Sequence, residues 1–314
     1  MRMKLKRTTL TAGLLATVFF GAVAGAQQVR LMTGPQGGSW YPLGGAIANI
    51  AGKAGVKVQV LPGAGIANVK AVQMGKADFG FGNSISTVDG VAGRAPFDTK
   101  ADNVCNVATL YPQYFQIVAN ADAGIDSLAD SKGKSIAVQP RGNTAEFITA
   151  QMLEVYGMTY KDMNRVSYVS YTDAVSLLKD NNAQLFTLGT TVPSSSIMDL
   201  ASARAIKLIE VPDDKFQAMR KLNPGYTKLV IPANSYPGQD KDVQAVGYAT
   251  HVIARCDLEQ DTVYKILQGI VADKADLEAI AKAMAPTTIK MMAEDIGVPL
   301  HKGAERFYKE KGVI

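Results

Sequence analysis

Short apolar or alternating runs recur along the chain, and most of them are followed by a segment with helical spacing. The strand-like runs are QVRLM, VKVQVLPG, DFGFG, KSIAVQP, VSYVSY, AQLFTLG and AIKLIEVP. After the first run, Leu43, Ile47 and Ile50 recur on one face of a helix. This alternation predicts an α/β fold in which parallel sheets are covered by helices on both faces.

Two extended runs are longer than the others and predict where the chain crosses between lobes. They are VATLYPQYFQIVAN (107–120) and VQAVGYATHVIAR (243–255). The chain has no flexible linker that could join two lobes instead. Each run is long enough to serve one lobe at either end. We therefore expect a first lobe of residues 27–114 plus 255–314 and a second, inserted lobe of residues 115–254, with a ligand bound between them.

The N-terminus has the three parts of a secretory signal peptide. A basic segment, MRMKLKR, precedes the apolar LTAGLLATVFFGAVAG, and Ala24-Gly25-Ala26 supplies the small residues of a cleavage site. We expect residues 1–26 to be removed and the mature protein to be exported to the periplasm. The alternative is a single membrane anchor, which the short apolar run disfavours.

The charge balance excludes some classes of partner. Residues 1–26 hold four basic and no acidic side chains, which leaves 29 basic against 28 acidic residues in the mature chain. No basic stripe remains that would indicate nucleic acid or an anionic membrane surface. We expect a soluble monomer.

If the protein is exported, its two cysteines lie in an oxidising compartment. Cys105 and Cys256 lie in or beside the two long extended runs. If those runs pair antiparallel with Tyr111 near Thr250, the same register places Cys105 opposite Cys256. The expectation is a disulfide, and the alternative is two buried thiols.

Five turns between a strand-like and a helix-like segment are rich in Gly, Ser, Thr or Asn. Ligands of open α/β sheets bind beyond the carboxyl ends of strands, and unpaired N–H groups at helix starts attract anions. The turns are therefore the candidate ligand site, although helix capping alone also explains each one. They are TGPQGGSWYPLGG (33–45), PGAGIANVKAV (62–72), FGNSIST (81–87), QPRGNTAEF (139–147) and TLGTTVPSSSI (187–197).

Side chains in these turns offer the groups that a carboxylate needs. Asn83 and Ser84 present donors in one turn, and Asn143 and Thr144 add an amide, a hydroxyl and a helix start in another. Arg141 is a candidate for bidentate carboxylate binding, and the alternative is an ordinary surface arginine.

Catalytic chemistry has little support in the sequence. The mature chain has two histidines, His251 in an apolar run and His301 near the end, and it lacks the nucleophile-elbow, phosphate-loop and metal-spacing motifs. We expect no enzyme, no cofactor and no metal. The rival hypothesis is a periplasmic serine hydrolase that uses a serine of 194–196 with His251 as its base.

Several longer segments are together similar to the TAXI family, the bacterial solute receptors associated with TRAP transporters. The similarity runs from about residue 29 to the C-terminus, and the combination of YPGQDKDV with LHKGAERFY is specific to it. The segments are GGSWYPLGGAIANI, ATLYPQYFQIVAN, GIDSLADSKGKSIAV, NSYPGQDKDVQAVG and PLHKGAERFYKEKG.

This resemblance implies a periplasmic-binding-protein type II-like fold, with two α/β lobes that close over a small solute and deliver it to the subunits of an ion-driven TRAP membrane permease. Members are associated with L-glutamate, 2-oxoglutarate and related carboxylates. A sensor of the same solute is the alternative. The ligand turns of the family map onto Gly37, Gly38, Ser39, Tyr41, Asn83, Ser84, Gly142, Asn143 and Thr144, and with weaker support onto Gly189 and Thr190.

Two departures from the family pattern concern the identity of the ligand. Where relatives tend to read Gly-Ser-Gly-Thr-Glu, this chain reads Arg141-Gly142-Asn143-Thr144-Ala145-Glu146. Where many have a tyrosine before Tyr-Pro, it has Trp40. Both differences fall in the expected site, so the exact carboxylate is left open.

Overall fold

The computed structural model describes residues 28–223 and 225–314. The predicted signal peptide lies outside these residues. Within the described residues, ten strands form one mixed sheet, and eleven α-helices cover it. The strands are β1 (Val29–Met32), β2 (Val58–Leu61), β3 (Phe79–Asn83), β4 (Val104–Asn120), β5 (Ser135–Val138), β6 (Arg165–Tyr168), β7 (Leu185–Thr190), β8 (Ile206–Leu208), β9 (Thr227–Ile231) and β10 (Val243–Arg255).

Most strands are followed by a helix, as the alternating pattern predicts. Four short 3-10 helices fill some of the connections. The α-helices are α1 (Trp40–Lys53), α2 (Gly65–Gln73), α3 (Ser84–Ala92), α4 (Thr144–Val155), α5 (Tyr171–Lys179), α6 (Ser195–Ala203), α7 (Asp213–Leu222), α8 (Gln260–Ala272), α9 (Lys274–Ile280), α10 (Ile289–Met292) and α11 (Lys302–Glu310).

The sheet runs through both lobes in the order β2-β1-β3-β10-β4-β7-β5-β6, with β8 paired to β4 and β9 paired to β10. At one side, β1, β2 and β3 are parallel, and at the other β5, β6 and β7 are parallel. The two groups are joined by the long antiparallel pair of β4 and β10. These are the two extended runs that the sequence singles out as crossings.

Each crossing strand serves one lobe at each end. Strand β10 pairs with β3 through residues 250–254 and with β9 through residues 243–247. Strand β4 pairs with β7 through residues 114–119. Because the same two strands belong to both lobes, the lobes are joined through a continuous hydrogen-bonded sheet.

Apolar side chains pack on both faces of the sheet in each lobe. In the first lobe, Leu43, Ile47 and Ile50 of α1 pack with residues of α8 and α11 in one cluster, as the helical spacing predicts. A second cluster lies under α2 on the other face. The second lobe likewise has two clusters, one under α4 and one under α5 and α6. Buried clusters on both faces account for the nearly continuous apolar character of the strands.

Cys105 and Cys256 form a disulfide at the end of the crossing pair that lies in the first lobe. Tyr111 does pair with Thr250, as expected, but the residue opposite Cys105 is Ala254 and not Cys256. Two irregularities, at 250/251 and 252/253, shift the register by two residues. The predicted register was therefore wrong at this end, since bulges insert extra residues into one strand of a pair. Cys256 reaches Cys105 from just past the end of β10.

Candidate functional site

A narrow cleft lies between the lobes, at the carboxyl ends of the parallel strands of both. Its cavity volume is about 20 Å³, which in this closed arrangement is room for about one water molecule. This is the place where open α/β sheets bind their ligands. The lining residues are Pro35, Gly38, Ser39, Trp40, Gly65, Asn83, Gln113, Asn143, Tyr171, Gly189, Thr190 and Tyr248.

Five helices begin at this cleft. The first residues of α1, α2 and α5 line it, as do the residues that precede α3 and α4. The first N–H groups of a helix lack intrahelical acceptors and carry a partial positive charge. Among the described residues, none of those lining the cleft has a charged side chain. The field inside the cleft therefore comes mainly from helix starts of both lobes, and it favours an anion.

Gln113, in the middle of β4, links the two lobes at the floor of the cleft. The orientation of its amide that satisfies its neighbours places Oε1 2.6 Å from Trp40 Nε1 and 2.5 Å from Thr250 Oγ1, both of which donate to it. The amide nitrogen then donates to the Gly189 carbonyl over 3.0 Å. One side chain thus joins α1, β10 and β7, and it fixes the indole of Trp40 against the cleft.

Three side chains face the cleft with polar atoms that the protein leaves free. The Asn83 Oδ1 atom is buried and has no partner among the described residues. Tyr248 is 2% exposed, and burial and neighbouring tyrosines act on its hydroxyl without a hydrogen bond from the part of the chain that the structure describes. Asn143 caps α4 by accepting from the Ala145 N–H over 2.8 Å, which leaves its amide nitrogen for a guest. Buried polar groups of this kind are matched by a ligand or by water.

Two glycines allow the close approach of elements around the cleft. A Cβ at Gly65 would lie 2.7 Å from Asn83 Nδ2 and would collide with Thr144 Oγ1 across the cleft. A Cβ at Gly189 would collide with the Tyr248 hydroxyl. Any larger residue at either position would fill the space beside the free polar groups.

Hydrogen bonds around the cleft join residues of the two lobes directly. The Gly142 carbonyl accepts from the Ala67 N–H over 2.9 Å. The hydroxyls of Thr144 and Ser86 are 2.9 Å apart. On the opposite rim, Ser196 donates to the Gly37 carbonyl over 2.9 Å. These contacts hold the lobes in the closed arrangement that the structure describes.

Six of the residues singled out in the sequence line the cleft, and the structure places three more at its closure contacts. These three are Gly37 and Gly142, through their carbonyls, and Thr144, through its hydroxyl. The six that line the cleft are Gly38, Ser39, Asn83, Asn143, Gly189 and Thr190.

Three other predicted residues point elsewhere. The guanidinium of Arg141 stacks over the Tyr168 ring at 5.0 Å and donates to its hydroxyl over 3.1 Å, so it lies on the surface of the second lobe. Tyr41 is 43% exposed on the outer side of α1. Ser84 turns to the hinge, which is the crossing pair of β4 and β10. There its Oγ accepts from the Ala249 N–H over 3.1 Å. The arginine clamp expected from the sequence is therefore not part of the cleft, because stacking on Tyr168 holds it outside.

Sequence reasoning missed three residues of the lining, Gln113, Tyr171 and Tyr248. Pro35 and Gly65 lie in the predicted turns 33–45 and 62–72 but were not singled out. Gln113 and Tyr248 lie inside the long crossing strands, where they alternate with core residues and carry no turn signal. Tyr171 begins α5, and its hydroxyl donates to the Gly189 carbonyl over 3.0 Å. Tyr171 is the last residue of the run VSYVSY, which was predicted as a strand; β6 ends at Tyr168, and Ser170 caps α5. The Ser170 cap is the signal that would have found it. Trp40, noted only as a departure from the family, also lines the cleft.

The serine hydrolase hypothesis requires His251 to act as base toward Ser194, Ser195 or Ser196, and the structure gives both nitrogens of its ring other partners. His251 is fully buried, with Nε2 2.7 Å from Thr87 Oγ1 and Nδ1 3.0 Å from Asn106 Oδ1. Burial lowers its pKa to about 3. Ser195 and Ser196 direct their hydroxyls to the Gly37 carbonyl instead. Both histidine nitrogens are engaged in the hinge, so the geometry does not assemble a nucleophile and its base.

Two further features bear on the kind of protein this is. Within residues 28–223 and 225–314, no helix is long and apolar enough to cross a membrane. The same residues contain no cluster of three or more His, Cys, Asp or Glu side chains placed to hold a metal ion.

Solved structures confirm the predicted periplasmic-binding-protein type II-like fold. A protein of Bordetella bronchiseptica RB50 is 18% identical, with a TM-score of 0.54 over 91% of this chain and 82% of its own. A putative L-cystine ABC transporter protein of Listeria monocytogenes is 14% identical, with a TM-score of 0.50 over 82% of this chain and 95% of its own. At these identities the similarity shows a shared fold.

The family match covers the cleft and both lobes. A model described as the NMT1-like family matches residues 31–312, from β1 to the residues just past α11. This range includes every residue that lines the cleft and both strands of the hinge. Because the match extends over nearly all of the described chain, the protein belongs to the NMT1-like family.

Proposed function

We propose that this protein is an extracytoplasmic solute receptor that captures a small carboxylate by lobe closure and delivers it to a TRAP-type, ion-driven permease. L-glutamate, 2-oxoglutarate and related acids form the class of candidate solutes. The observation that carries the proposal is the cleft itself, where five helix starts from two lobes surround free polar groups of Asn83, Asn143 and Tyr248.

Capture depends on contacts that exist only when the lobes are closed. We place the lobe boundaries at 27–114 plus 255–314 and at 115–254, which puts Ser39 and Asn83 in the first lobe and Asn143 and Thr190 in the second. A solute that touches both sets binds the closed form more tightly than the open form, so it shifts the population toward closure. The hinge of β4 and β10 gives the lobes a shared axis for this motion.

The TRAP partner and the periplasmic location are supported by sequence. The predicted signal peptide leads to export, and the TAXI-like segments NSYPGQDKDVQAVG and PLHKGAERFYKEKG point to a TRAP permease. Some of these residues are structural: Tyr236 is buried, accepts from the Ser194 N–H over 2.9 Å and donates to Gln116 over 2.7 Å. They stabilise the second lobe beneath α6, next to the cleft rim.

A thermal-shift screen of the purified protein against amino acids, keto acids and dicarboxylates tests the proposal. A ligand present at about 100 times its dissociation constant stabilises the native state by about 2.7 kcal/mol, a shift of a few degrees for a chain of this size. We expect a shift with at least one small carboxylate. If no compound of these classes shifts the melting temperature, the proposed function is wrong.

A matched pair of tyrosine variants shows whether the effect comes from this cleft. Tyr248→Phe removes a hydroxyl without a partner in the described protein, so it should weaken solute binding about tenfold and leave ligand-free stability nearly unchanged. Tyr308→Phe removes a hydroxyl that donates to the Val107 carbonyl over 2.8 Å in the first-lobe core. It should lower stability by about 1 kcal/mol and leave affinity unchanged. Equal affinity in Tyr248→Phe and wild type would place the solute elsewhere.

Uptake of the solute distinguishes a transport receptor from a sensor. Vesicles that contain a TRAP permease should accumulate the shifting carboxylate only when the purified receptor is added outside and an ion gradient is present. Accumulation that is independent of the receptor would contradict the transport role and favour the sensor.

A further inference from the structure

We infer that the cleft selects acids without an ammonium group, so that keto acids, hydroxy acids or simple dicarboxylates bind in preference to the corresponding amino acids. The inference rests on the proposed function and narrows its class of solutes. It follows from the sign of the electrostatic field in the cleft, from the free groups that face it, and from the positions of the nearest carboxylates.

The field in the cleft has one sign. Helices α1, α2, α4 and α5 each have nine or more residues and place their first residue or their N-cap residue at the cleft. Helix starts attract negative charge and repel positive charge. None of the described lining residues supplies a side-chain carboxylate to offset this field. A carboxylate guest is therefore favoured at several positions, whereas an ammonium has no counter-charge there.

Free polar groups in the cleft indicate that a ligand belongs among the helix starts. Tyr248 and Asn143 are 2% and 5% exposed, and both offer donors that suit carboxylate or carbonyl oxygens. The buried Asn83 Oδ1 has no partner among the described residues. It suits a solute hydroxyl, and rotation of the amide would present its NH2 group to a carbonyl oxygen. These donors and this acceptor suit an acid whose polar atoms are carboxylate, carbonyl or hydroxyl oxygens.

The carboxylates nearest in sequence to the cleft, Glu146 and Asp173, are not among its lining residues. Glu146, in the first turn of α4, is buried beside Tyr160, whose hydroxyl donates to the Glu146 carbonyl over 3.1 Å. Burial raises the pKa of its side chain, and the nearby charge of Arg141 acts in the opposite direction. Asp173, in the first turn of α5, is exposed and accepts from Ser170 Oγ over 2.7 Å. Neither carboxylate is available to pair with an ammonium in the cleft.

Burial of an unpaired ammonium opposes binding strongly, because the charge loses its hydration without gaining a counter-ion. A keto or hydroxyl group at the same carbon loses far less and finds donors or an acceptor in the cleft. This difference in desolvation cost is measured by the ratio of the dissociation constants of two solutes that have the same carbon skeleton and differ only in this group.

Calorimetric titration of the purified protein with matched acids tests the inference. The pairs are 2-oxoglutarate with L-glutamate, L-malate with L-aspartate, and 2-oxoisovalerate with L-valine. In each pair that gives measurable binding, we expect the acid without the ammonium to bind at least about 100-fold more tightly. Equal or tighter binding of the amino acid in any pair overturns the inference and leaves the receptor function standing. If neither series nor the wider carboxylate screen gives binding, the proposed function fails, and this inference fails with it.

A charge introduced into the cleft provides a second test. Asn143→Asp keeps the shape of the side chain and its role as a helix cap but adds a carboxylate among the donors. We expect the affinity for the preferred acid to fall at least tenfold and its preference over the matching amino acid to fall as well. Thr288→Asp is the control, because Thr288 caps α10 in the same way and lies outside the cleft. An unchanged preference in Asn143→Asp would contradict the inference.

Discussion

At the scale of single residues, the polar side chains of the cleft have two different roles. Gln113 has its amide occupied by Trp40, Thr250 and Gly189, so it maintains the shape of the cleft. Tyr248 and Asn83 have free polar atoms, so they are available to a guest. Truncation of a shape-maintaining side chain such as Gln113 leaves buried partners unsatisfied and lowers stability. Truncation of a side chain with a free polar atom, such as Tyr248, changes binding while the ligand-free protein keeps its hydrogen bonds.

The closeness of Gly189 to Tyr248 leads to a prediction about a single methyl group. In Gly189→Ala the new Cβ would collide with the Tyr248 hydroxyl and lie 3.3 Å from the Ala145 Cβ. Because the tyrosine must move, we expect solute affinity to fall at least tenfold and stability to fall by about 1–3 kcal/mol. Calorimetry and urea unfolding measure the two effects.

Gly45→Ala is the control for this substitution. Gly45 lies inside α1, and a Cβ there meets no atom within 4 Å. The helix should gain about 0.5–1 kcal/mol of stability without a change in affinity. If Gly189→Ala binds solute as well as wild type, Tyr248 does not need its observed position for binding.

How far single site residues were predictable depended on where they lie along the chain. Asn83 and Asn143 precede helices in Gly- or Asn-rich turns, and local sequence marks such turns well. Gln113 and Tyr248 are in the middle of strands, and their approach to the cleft depends on pairing between residues more than 100 positions apart. Arg141 was in a predicted turn, but the direction of a long side chain depends on its neighbours, here Tyr168.

At the scale of secondary-structure elements, periodicity predicted the described strands except β9, because each of these strands buries one face or both. The extended run 243–255 matches β10 residue for residue. The other run, predicted as 107–120, begins three residues earlier in the structure, at Val104. Register was less predictable: the bulges in β4 and β10 have no distinct sequence signal, and they moved the partner of Cys105 from Cys256 to Ala254.

The starts of α2 and α4 face each other across the rim of the cleft, and this contact leads to a prediction about closure. In Gly65→Ala the added Cβ would collide with Thr144 Oγ1, and Asn83 Nδ2 would lie 2.7 Å from it. The closed arrangement should therefore become less stable than the open one. We expect solute affinity to fall at least tenfold, and small-angle scattering should show less contraction at saturating solute.

A second substitution at the same contact shows whether the collision is the cause. Thr144→Ala alone loses the hydroxyl contact with Ser86 and should weaken binding by about tenfold or less. With that hydroxyl absent, the worst collision of Gly65→Ala is gone, although Asn83 Nδ2 still lies 2.7 Å from the new Cβ. The double variant should therefore lose less affinity than the sum of the two single losses. Additive losses in the double variant would instead indicate that the two residues act independently.

At the scale of the whole molecule, the two lobes share a hinge with a buried polar centre. His251 of β10 lies between Thr87 of α3 and Asn106 of β4. Its Nδ1–H donates to the side-chain Oδ1 of Asn106 when Nε2 accepts from Thr87, so the neutral ring satisfies both neighbours. Both lobes depend on β4 and β10. Protonation of this ring therefore lowers the stability of the whole fold.

The pKa of His251 predicts how stability depends on pH. Burial lowers it to about 3 in the folded protein, whereas an unfolded histidine titrates near 6.5. Between these values the unfolded state binds a proton that the folded state excludes, so stability is lost as pH falls below 6.5 and is unaffected by this group above it. From pH 7 to pH 5 the loss from one such histidine is about 2 kcal/mol.

Urea unfolding of the ligand-free protein at pH 7, 6 and 5 measures this loss, in a range above the ordinary pKa values of carboxylates. His251→Gln keeps one donor and one acceptor in the hinge without titrating, so it should be less stable at pH 7 but lose about 2 kcal/mol less than wild type between pH 7 and pH 5. His301→Asn is the matched control: His301 caps α11 by accepting from the Gly303 N–H, and burial lowers its pKa as well. Because each histidine contributes separately, the control should retain the contribution of His251. A pH dependence that is identical in His251→Gln and wild type would mean that the hinge histidine takes up its proton in the folded state, with the hinge opening to water.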